Sequence, residues 1–325
     1  MKAVLITGGC GFIGSHFIRG FLKSHSDWKV INLDKLSYCG NPENLRDCES
    51  NSRYQFVQGD ICDAAVVQKL MEQVQAVIHF AAETHVDRSI ESADDFLMTN
   101  VFGTRVLLES ARKTGIKRFL QVSTDEVYGS IGTGFVKEDA PLLPNSPYSA
   151  SKAGADLMAR AYWITYQLPV ITTRSSNNYG PNQFPEKVIP LFITNLIDGK
   201  KVPLYGKGEN RRDWIYVEDD CRAVELAFDK GEPGEIYNIG SGNEMSNLEL
   251  THTLFKEMGA GEERINRVTD RLGHDFRYGI DIQKISRLGF KPQHSFRDGL
   301  RDTIQWYRQH PEWWRPLKQD RFTIK

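Results

Sequence analysis

Cysteine is scarce in this chain: five in 325 residues, Cys10, Cys39, Cys48, Cys62 and Cys221. The number is odd and no two stand in C-x-x-C spacing, which argues against a disulfide framework or a thiolate metal centre. The eight histidines hold no H-x-x-x-H pair, so no metal is expected. No apolar run approaches the roughly 20 residues of a membrane-spanning helix. The N-terminus, MKAVLITGG, lacks the apolar core and cleavage site of a signal peptide, so the cytoplasm is the expected compartment. An excess of charge is missing too: 41 basic against 42 acidic residues give a net charge of −1. That removes the electrostatic case for a nucleic-acid or membrane partner. What remains is an ordinary globular composition, 40% hydrophobic and 26% charged, long enough for one large domain or two smaller ones.

The first half alternates strand-like runs with helical patterns. AVLIT (3–7) has no polar alternation, as expected of a strand buried on both faces. KVINLD (29–34), YQFVQGD (54–60), AVIHFAA (76–82), RFLQVS (118–123) and PVITTRSS (169–176) read the same way. Helices are expected at 12–25, 64–74, 94–114 and about 146–167. This alternation predicts parallel strands with right-handed crossovers, a Rossmann-type doubly wound α/β sheet. After Asn177, Pro, Gly and short polar segments become frequent. Then WIYVEDDCRAVELAF (214–228) and EIYNIGS (235–241) restore the first pattern. We therefore expect a dinucleotide-binding domain over 1–176 with returning segments near 214–240, and a smaller, discontinuous domain mainly over 177–325.

Two motifs carry the cofactor expectation. TGGCGFIGS places Gly8, Gly11 and Gly14 directly after the first strand and at the opening of the first helix. Glycine lets the backbone approach a pyrophosphate, and the helix N-terminus offers N–H groups to it. Asp34 ends the second strand, 20 residues beyond Gly14. A carboxylate there accepts the ribose hydroxyls and repels a 2′-phosphate, which favours NAD over NADP; the following Lys35 weakens that exclusion slightly. Asp60 is a candidate to face the adenine. SPYSASKAGAD contains Tyr148 and Lys152, one helical turn apart on one face. A nearby ammonium favours phenolate and makes Tyr148 a usable base toward a hydroxyl.

The glycine loop, Asp34, FAAETHVDRS, Thr124 and the Tyr148/Lys152 pair resemble the extended short-chain dehydrogenases/reductases that act on nucleotide sugars. The resemblance runs from residue 5 to about 281. It implies that Tyr148 and Lys152 work with NAD to oxidise a sugar hydroxyl, usually at C4. It also implies a cofactor site formed by Gly8, Gly11, Phe12, Ile13, Gly14, Asp34, Lys35, Leu36, Ser37, Asp60, Ile61, Phe80, Ala81, Ala82, Thr84, Thr99, Tyr148, Lys152 and Asn178.

VSTDEVYG (122–129) narrows the chemistry. A C4 epimerase needs no further acid or base once the ketone has formed, and a decarboxylase lets the ketone accept electrons as CO₂ leaves. A 4,6-dehydratase must also remove the C5 proton and protonate the departing C6 hydroxyl, which asks for an adjacent acid and base. STDEVYG resembles the signature of the dTDP-glucose 4,6-dehydratases. Carried over, Asp125 is the acid at C6, Glu126 the base at C5, and Thr124 bonds the C4 oxygen. Two carboxylates so close cannot both ionise easily, so one pKa should rise. The same resemblance implies substrate contacts at Thr84, Thr124, Asn177, Lys187, Val188, Pro203, Tyr205, Arg212, Asn247, Asp270, Arg271 and His274. His85 and Arg88 are further candidates, and Arg277 and Tyr278 are expected to close the cleft. It implies deoxysugar biosynthesis, as in the dTDP-rhamnose pathway, and a homodimer joined through a four-helix interface of the 94–114 and 146–167 helices. The loop after 94–114 and the 130–145 loop are shorter than in the longest family members.

Overall fold

The computed structural model describes residues 1–319; the last six residues of the expected second domain lie outside them. Strands β1 (Lys2–Thr7), β2 (Trp28–Asp34), β3 (Tyr54–Gln58), β4 (Ala76–His79), β5 (Arg118–Thr124) and β6 (Val170–Ser175) are joined by crossover helices. The chain then leaves the sheet for β7 (Asn177–Tyr179), β8 (Val202–Tyr205) and β9 (Arg211–Tyr216). It rejoins at β10 (Ile236–Ile239) and departs again for β11 (Glu244–Ser246) and β12 (Ile265–Val268). The main sheet has seven strands in the order β10-β6-β5-β4-β1-β2-β3, all parallel. The order reverses between β1 and β4, the topological switch point where such sheets open a crevice at the strands' carboxyl ends.

Burial explains the uninterrupted apolar runs. Val4, Leu5 and Ile6 of β1 are fully buried, alternating between two cores. One core, with Phe17, Phe21, Val224 and Phe228, lies under the helices Phe12–Ser24 and Val217–Lys230. The other, with Leu33, Val67, Leu107 and Phe119, fills the opposite face. A third core in the second lobe gathers Tyr179, Phe192, Trp214, Leu254, Tyr307 and Trp314. There β9 pairs with β7 and β11, and β8 with β12.

The helix Pro147–Tyr166 starts where the sequence says it should: Ser146 caps it, accepting from the Ser149 N–H at 3.1 Å, with Pro147 in the first turn. The 94–114 helix differs from its expectation. It runs as Asp94–Phe96, a π-helical stretch Leu97–Gly103, and Thr104–Thr114. The 214–228 segment also divides. Its first residues belong to β9 in the small sheet, and only the helix Val217–Lys230 returns, packing on Phe12–Ser24. Among the described residues no helix is long and apolar enough to cross a membrane.

Candidate active site

The crevice begins at Gly8. Its φ of +71° and the 2.5 Å that a Cβ would leave to the Ala81 nitrogen both require glycine. Asp34 ends β2 with both carboxylate oxygens held by backbone N–H groups, Cys10 at 2.9 Å and Leu36 at 2.8 Å. Burial raises its pKa and these bonds oppose the rise. Lys35 turns its ammonium onto Asp60 at 2.8 Å, so its charge is already matched beside the ribose position.

β5 delivers the reactive group. Thr124 ends the strand and caps the 3₁₀ turn Asp125–Tyr128, its hydroxyl accepting from the Glu126 N–H at 3.3 Å. Gly129 closes the turn at φ +73°, where a Cβ would stand 2.1 Å from the Leu143 carbonyl oxygen. The tight turn points both carboxylates inward. Asp125 is 2% exposed and its Oδ2 has no hydrogen-bond partner. Burial, then the Glu126 charge, raise its pKa well above the usual carboxylate range. Burial also raises Glu126, but Arg271, Arg212 and Lys187 oppose it. The adjacent carboxylates are thus separated: Asp125 is pushed further toward its protonated form than Glu126, whose rise the three cations oppose.

The helix Pro147–Tyr166 brings Tyr148 and Lys152 to the same wall. The expectation that Lys152 lowers the Tyr148 pKa is not what the structure shows. Burial, Glu126 and Asp125 drive that pKa well up, and only the Thr124 hydroxyl, among the leading influences, opposes them. Lys152 instead donates to the Val122 carbonyl at 2.8 Å. Burial lowers its pKa to about 8 against the pull of Asp156.

Every residue expected at the cofactor lines one continuous cleft except Leu36, and Thr124, Asp125, Glu126, Asn177 and Lys187 line it too. Leu36 packs its side chain on the core and offers the cleft nothing but the backbone bond to Asp34. The cleft also presents buried polar atoms without hydrogen-bond partners: Ser123 Oγ, Ser176 Oγ, Asn177 Oδ1 and Asn178 Oδ1. Such groups are costly unless a ligand meets them. Together with the Gly8 approach and the Asp34 carboxylate, they fit a dinucleotide whose nicotinamide end lies toward Tyr148.

Val188, Pro203, Tyr205, Arg212, Asn247, Asp270, Arg271 and His274 lie outside that cleft lining. Lys187 donates to the Thr84 carbonyl at 2.8 Å, and Val188 begins the next helix. Tyr205 donates to Asp87 at 3.2 Å, Arg271 faces the same carboxylate at 3.7 Å, and His274 meets Asp270 at 2.6 Å. Pro203 lies one strand position pair before Tyr205 on β8, paired with β12. Asn247 opens the helix Asn247–Met258, its N–H donating to the Asn210 carbonyl at 3.0 Å. Arg212 is buried, donates to the Asp275 carbonyl at 2.8 Å, and stacks 4.1 Å over Tyr278. Tyr278 donates to Asp275 at 2.8 Å and reaches Glu126 at 3.4 Å. Arg277 departs from expectation: it pairs with Glu244 at 2.7 Å, its charge matched away from the carboxylates.

Sequence reasoning missed Asn100. Within the π-helical stretch it brackets Glu83, accepting from its N–H at 2.9 Å and donating to its carbonyl at 3.0 Å, and it reaches Ser151 at 2.8 Å. It thereby ties the loop after β4 to the Tyr148 helix. A polar residue inside an otherwise apolar helical pattern was the available signal, and π-bulges recur at such sites. Tyr38, Glu83 and Glu186 also line the cleft without having been singled out.

Fold and site together define an extended short-chain dehydrogenase/reductase equipped for acid–base chemistry beside a hydride-transfer position. The profile of the GDP-mannose 4,6 dehydratase family matches residues 5–303. A dTDP-glucose 4,6-dehydratase of Streptomyces niveus is 52% identical over 97% of this chain and 95% of its own. A crystal structure of the dTDP-glucose 4,6-dehydratase DesIV from Streptomyces venezuelae, with NAD bound, superimposes with a TM-score of 0.96. It is 52% identical and covers 98% of this chain and 100% of that one. A UDP-glucose 4-epimerase of Thermotoga maritima gives 0.88 at 31% identity, over 95% and 99% of the two chains. The chain belongs to the dTDP-glucose 4,6-dehydratase family.

Proposed function

We propose that the protein is an NAD-dependent lyase converting dTDP-glucose to dTDP-4-keto-6-deoxyglucose and water. The observation that carries this reading is the divided environment of two adjacent carboxylates, Asp125 set as an acid and Glu126 as a base. An epimerase or decarboxylase on the same scaffold would leave that pair without a task.

The chemistry NAD supplies when bound is reversible hydride transfer, used out of sugar C4 and back into C6. The phenolate of Tyr148, which burial and the two carboxylates disfavour and a cationic nicotinamide would favour, takes the C4 hydroxyl proton while Thr124 orients that oxygen. The ketone acidifies C5, Glu126 removes the C5 proton, and Asp125 protonates the C6 hydroxyl so that it leaves as water. Glu126 then returns its proton to C5. One cycle leaves Tyr148 protonated and Asp125 ionised, so one proton must pass back. The Thr124 hydroxyl touches both, 3.3 Å from Asp125 Oδ1 and hydrogen-bonded toward Tyr148.

For the rest of the assembly we propose the following. The main sheet with its returning helix and β10 is the cofactor domain, and the remaining C-terminal lobe holds the nucleotide. Arg212, Arg271 and Lys187 suit a diphosphate, since the planar guanidinium can donate two bonds to it. The exposed Leu97, Met98, Phe102, Leu157, Ile164 and Tyr166 lie on the two helices expected to pair in a homodimer, and support it. A cytoplasmic place in deoxysugar biosynthesis, as in the dTDP-rhamnose pathway, agrees with a nucleotide-sugar substrate.

The test is incubation with dTDP-glucose, UDP-glucose and GDP-mannose, reading the absorbance of a 4-keto product in base. Product is expected from dTDP-glucose; no product from any of the three overturns the reading.

A further inference from the structure

Glu186 is buried in the wall of the cleft, in the segment that also supplies Lys187. Two donors, Tyr38 and Arg88, hydrogen-bond its carboxylate, and His85 stands beside it. The Tyr38 hydroxyl donates to Oε1 at 2.7 Å, and the Arg88 guanidinium donates to Oε2 at 3.3 Å. His85 lies 3.5 Å from Oε2 through Nε2. The His85 tautomer follows from its other nitrogen, since Nδ1 accepts the Arg88 backbone N–H at 3.3 Å and the ring proton therefore sits on Nε2. Burial, reinforced by Lys187 and Arg88, pushes the His85 pKa down to about 3, so the ring is neutral. The Arg88 guanidinium also stacks 3.9 Å from the Tyr38 ring, and Phe184 packs edge-on against that ring at 5.4 Å.

These contacts join three separate parts of the chain. Tyr38 comes from the loop after Asp34, on the ribose side. Arg88 and His85 belong to the helix Val86–Glu91 and its cap, just after β4. Glu186 comes from the segment between β7 and the next helix, on the sugar side. Tyr38 and Glu186 both line the cleft, so the bond between them ties the loop after Asp34 to the segment before Lys187 within its lining. A carboxylate engaged by two donors, one of them a guanidinium, is not free to act as a base, and the catalytic cycle has no use for one here.

We propose that Tyr38, Glu186 and Arg88 form a bar across the cleft that holds NAD in place between turnovers, with Glu186 as its positioning hub. The proposal rests on the reading above of the cleft as the NAD site of a redox-neutral reaction. Because the hydride taken at C4 is given back at C6, NAD ends each cycle in the form in which it began. Release is therefore unnecessary, and a closed mouth costs the cycle nothing.

The experiment loads the wild-type protein, Tyr38→Phe and Glu186→Gln with labelled NAD. It measures dissociation after a chase with unlabelled NAD, and association by stopped flow. Tyr38→Phe removes one hydroxyl and keeps the ring under Arg88; Glu186→Gln keeps the size of the hub. Losing a hydrogen bond to a charged group should raise the dissociation rate about tenfold or more. A bar obstructs entry as well as exit, so the association rate should rise too and Kd should change less than the dissociation rate. Dissociation equal to wild type in Tyr38→Phe overturns the bar. So does faster dissociation with unchanged association, which would make Tyr38 an ordinary contact to the cofactor. Failure of the wild type to bind NAD at all overturns the cofactor reading itself, and is distinguished by that measurement alone. Glu186→Gln corroborates the bar if it folds, and Tyr38→Phe decides the matter if it does not.

Discussion

The inner wall of the cleft and its outer rim solve different electrostatic problems. At the inner wall, Asp125, Tyr148 and Lys152 are buried and Glu126 is half-buried, and burial is the first cause of every shift among them. At the rim, Tyr205, Asp270, Arg271 and His274 are half-exposed or exposed and matched in pairs: Asp87 takes Tyr205 and Arg271, and Asp270 takes His274. Chemistry needs groups with displaced proton affinities, whereas holding a charged nucleotide needs cations that stay charged. The two regions still communicate, because Arg271 at the rim is the largest influence opposing the burial of Glu126.

The comparison breaks most visibly at the wall. Asp125→Asn combined with Glu126→Gln should leave NAD and nucleotide-sugar binding largely intact. It should lower dehydration by at least the 10²–10⁴-fold, in order of magnitude, typical of one general acid or base. Binding by calorimetry and turnover of dTDP-glucose check the two halves, and surviving turnover would remove both residues from the mechanism.

At the rim the effect should be smaller and of another kind. Arg271→Ala is expected to raise KM for dTDP-glucose roughly tenfold, the loss of one charged hydrogen bond, with a much smaller change in kcat. A fall in kcat alone would place Arg271 in the chemistry instead.

The pH profile joins the two regions. Glu126 must be ionised to remove the C5 proton, and its pKa is raised, so activity should fall on the acid side at a pH above the usual glutamate value. The Lys152 ammonium, held on the Val122 carbonyl beside Tyr148, has its pKa lowered to about 8, so its loss should lower activity again as pH rises through that value. Arg271→Ala removes an influence that lowers Glu126, so the acid limb of kcat/KM should move upward while the alkaline limb stays. An unmoved acid limb would uncouple rim from wall.

Much of the inner region was legible in the sequence. Parallel strands buried on both faces leave uninterrupted apolar runs such as AVLIT and RFLQVS, and the reactive residues stand at their carboxyl ends by simple topology. Asp34, Thr124 and Ser175 close β2, β5 and β6. The rim was less legible because its strands are three to six residues long and pair only in small sheets. One signal there went unused: S-N-L-E at 246–249 is a capping box that starts the helix Asn247–Met258. Other features have no local signature. That Lys152 binds the Val122 carbonyl depends on how closely the Tyr148 helix packs on β5, and the π-helical register around Asn100 depends on the loop it must reach.

The position of β10 also sets an order of events during synthesis. It fills the edge beside β6, yet residues 176–235 are translated between the two strands, those up to Tyr216 belonging largely to the other lobe. Until residue 239 has emerged from the ribosome, β6 presents an unpaired strand edge, the kind of surface on which nascent chains associate wrongly. The first lobe therefore cannot finish its sheet before much of the second exists. Excising the latter by truncation would remove the strand that closes the former.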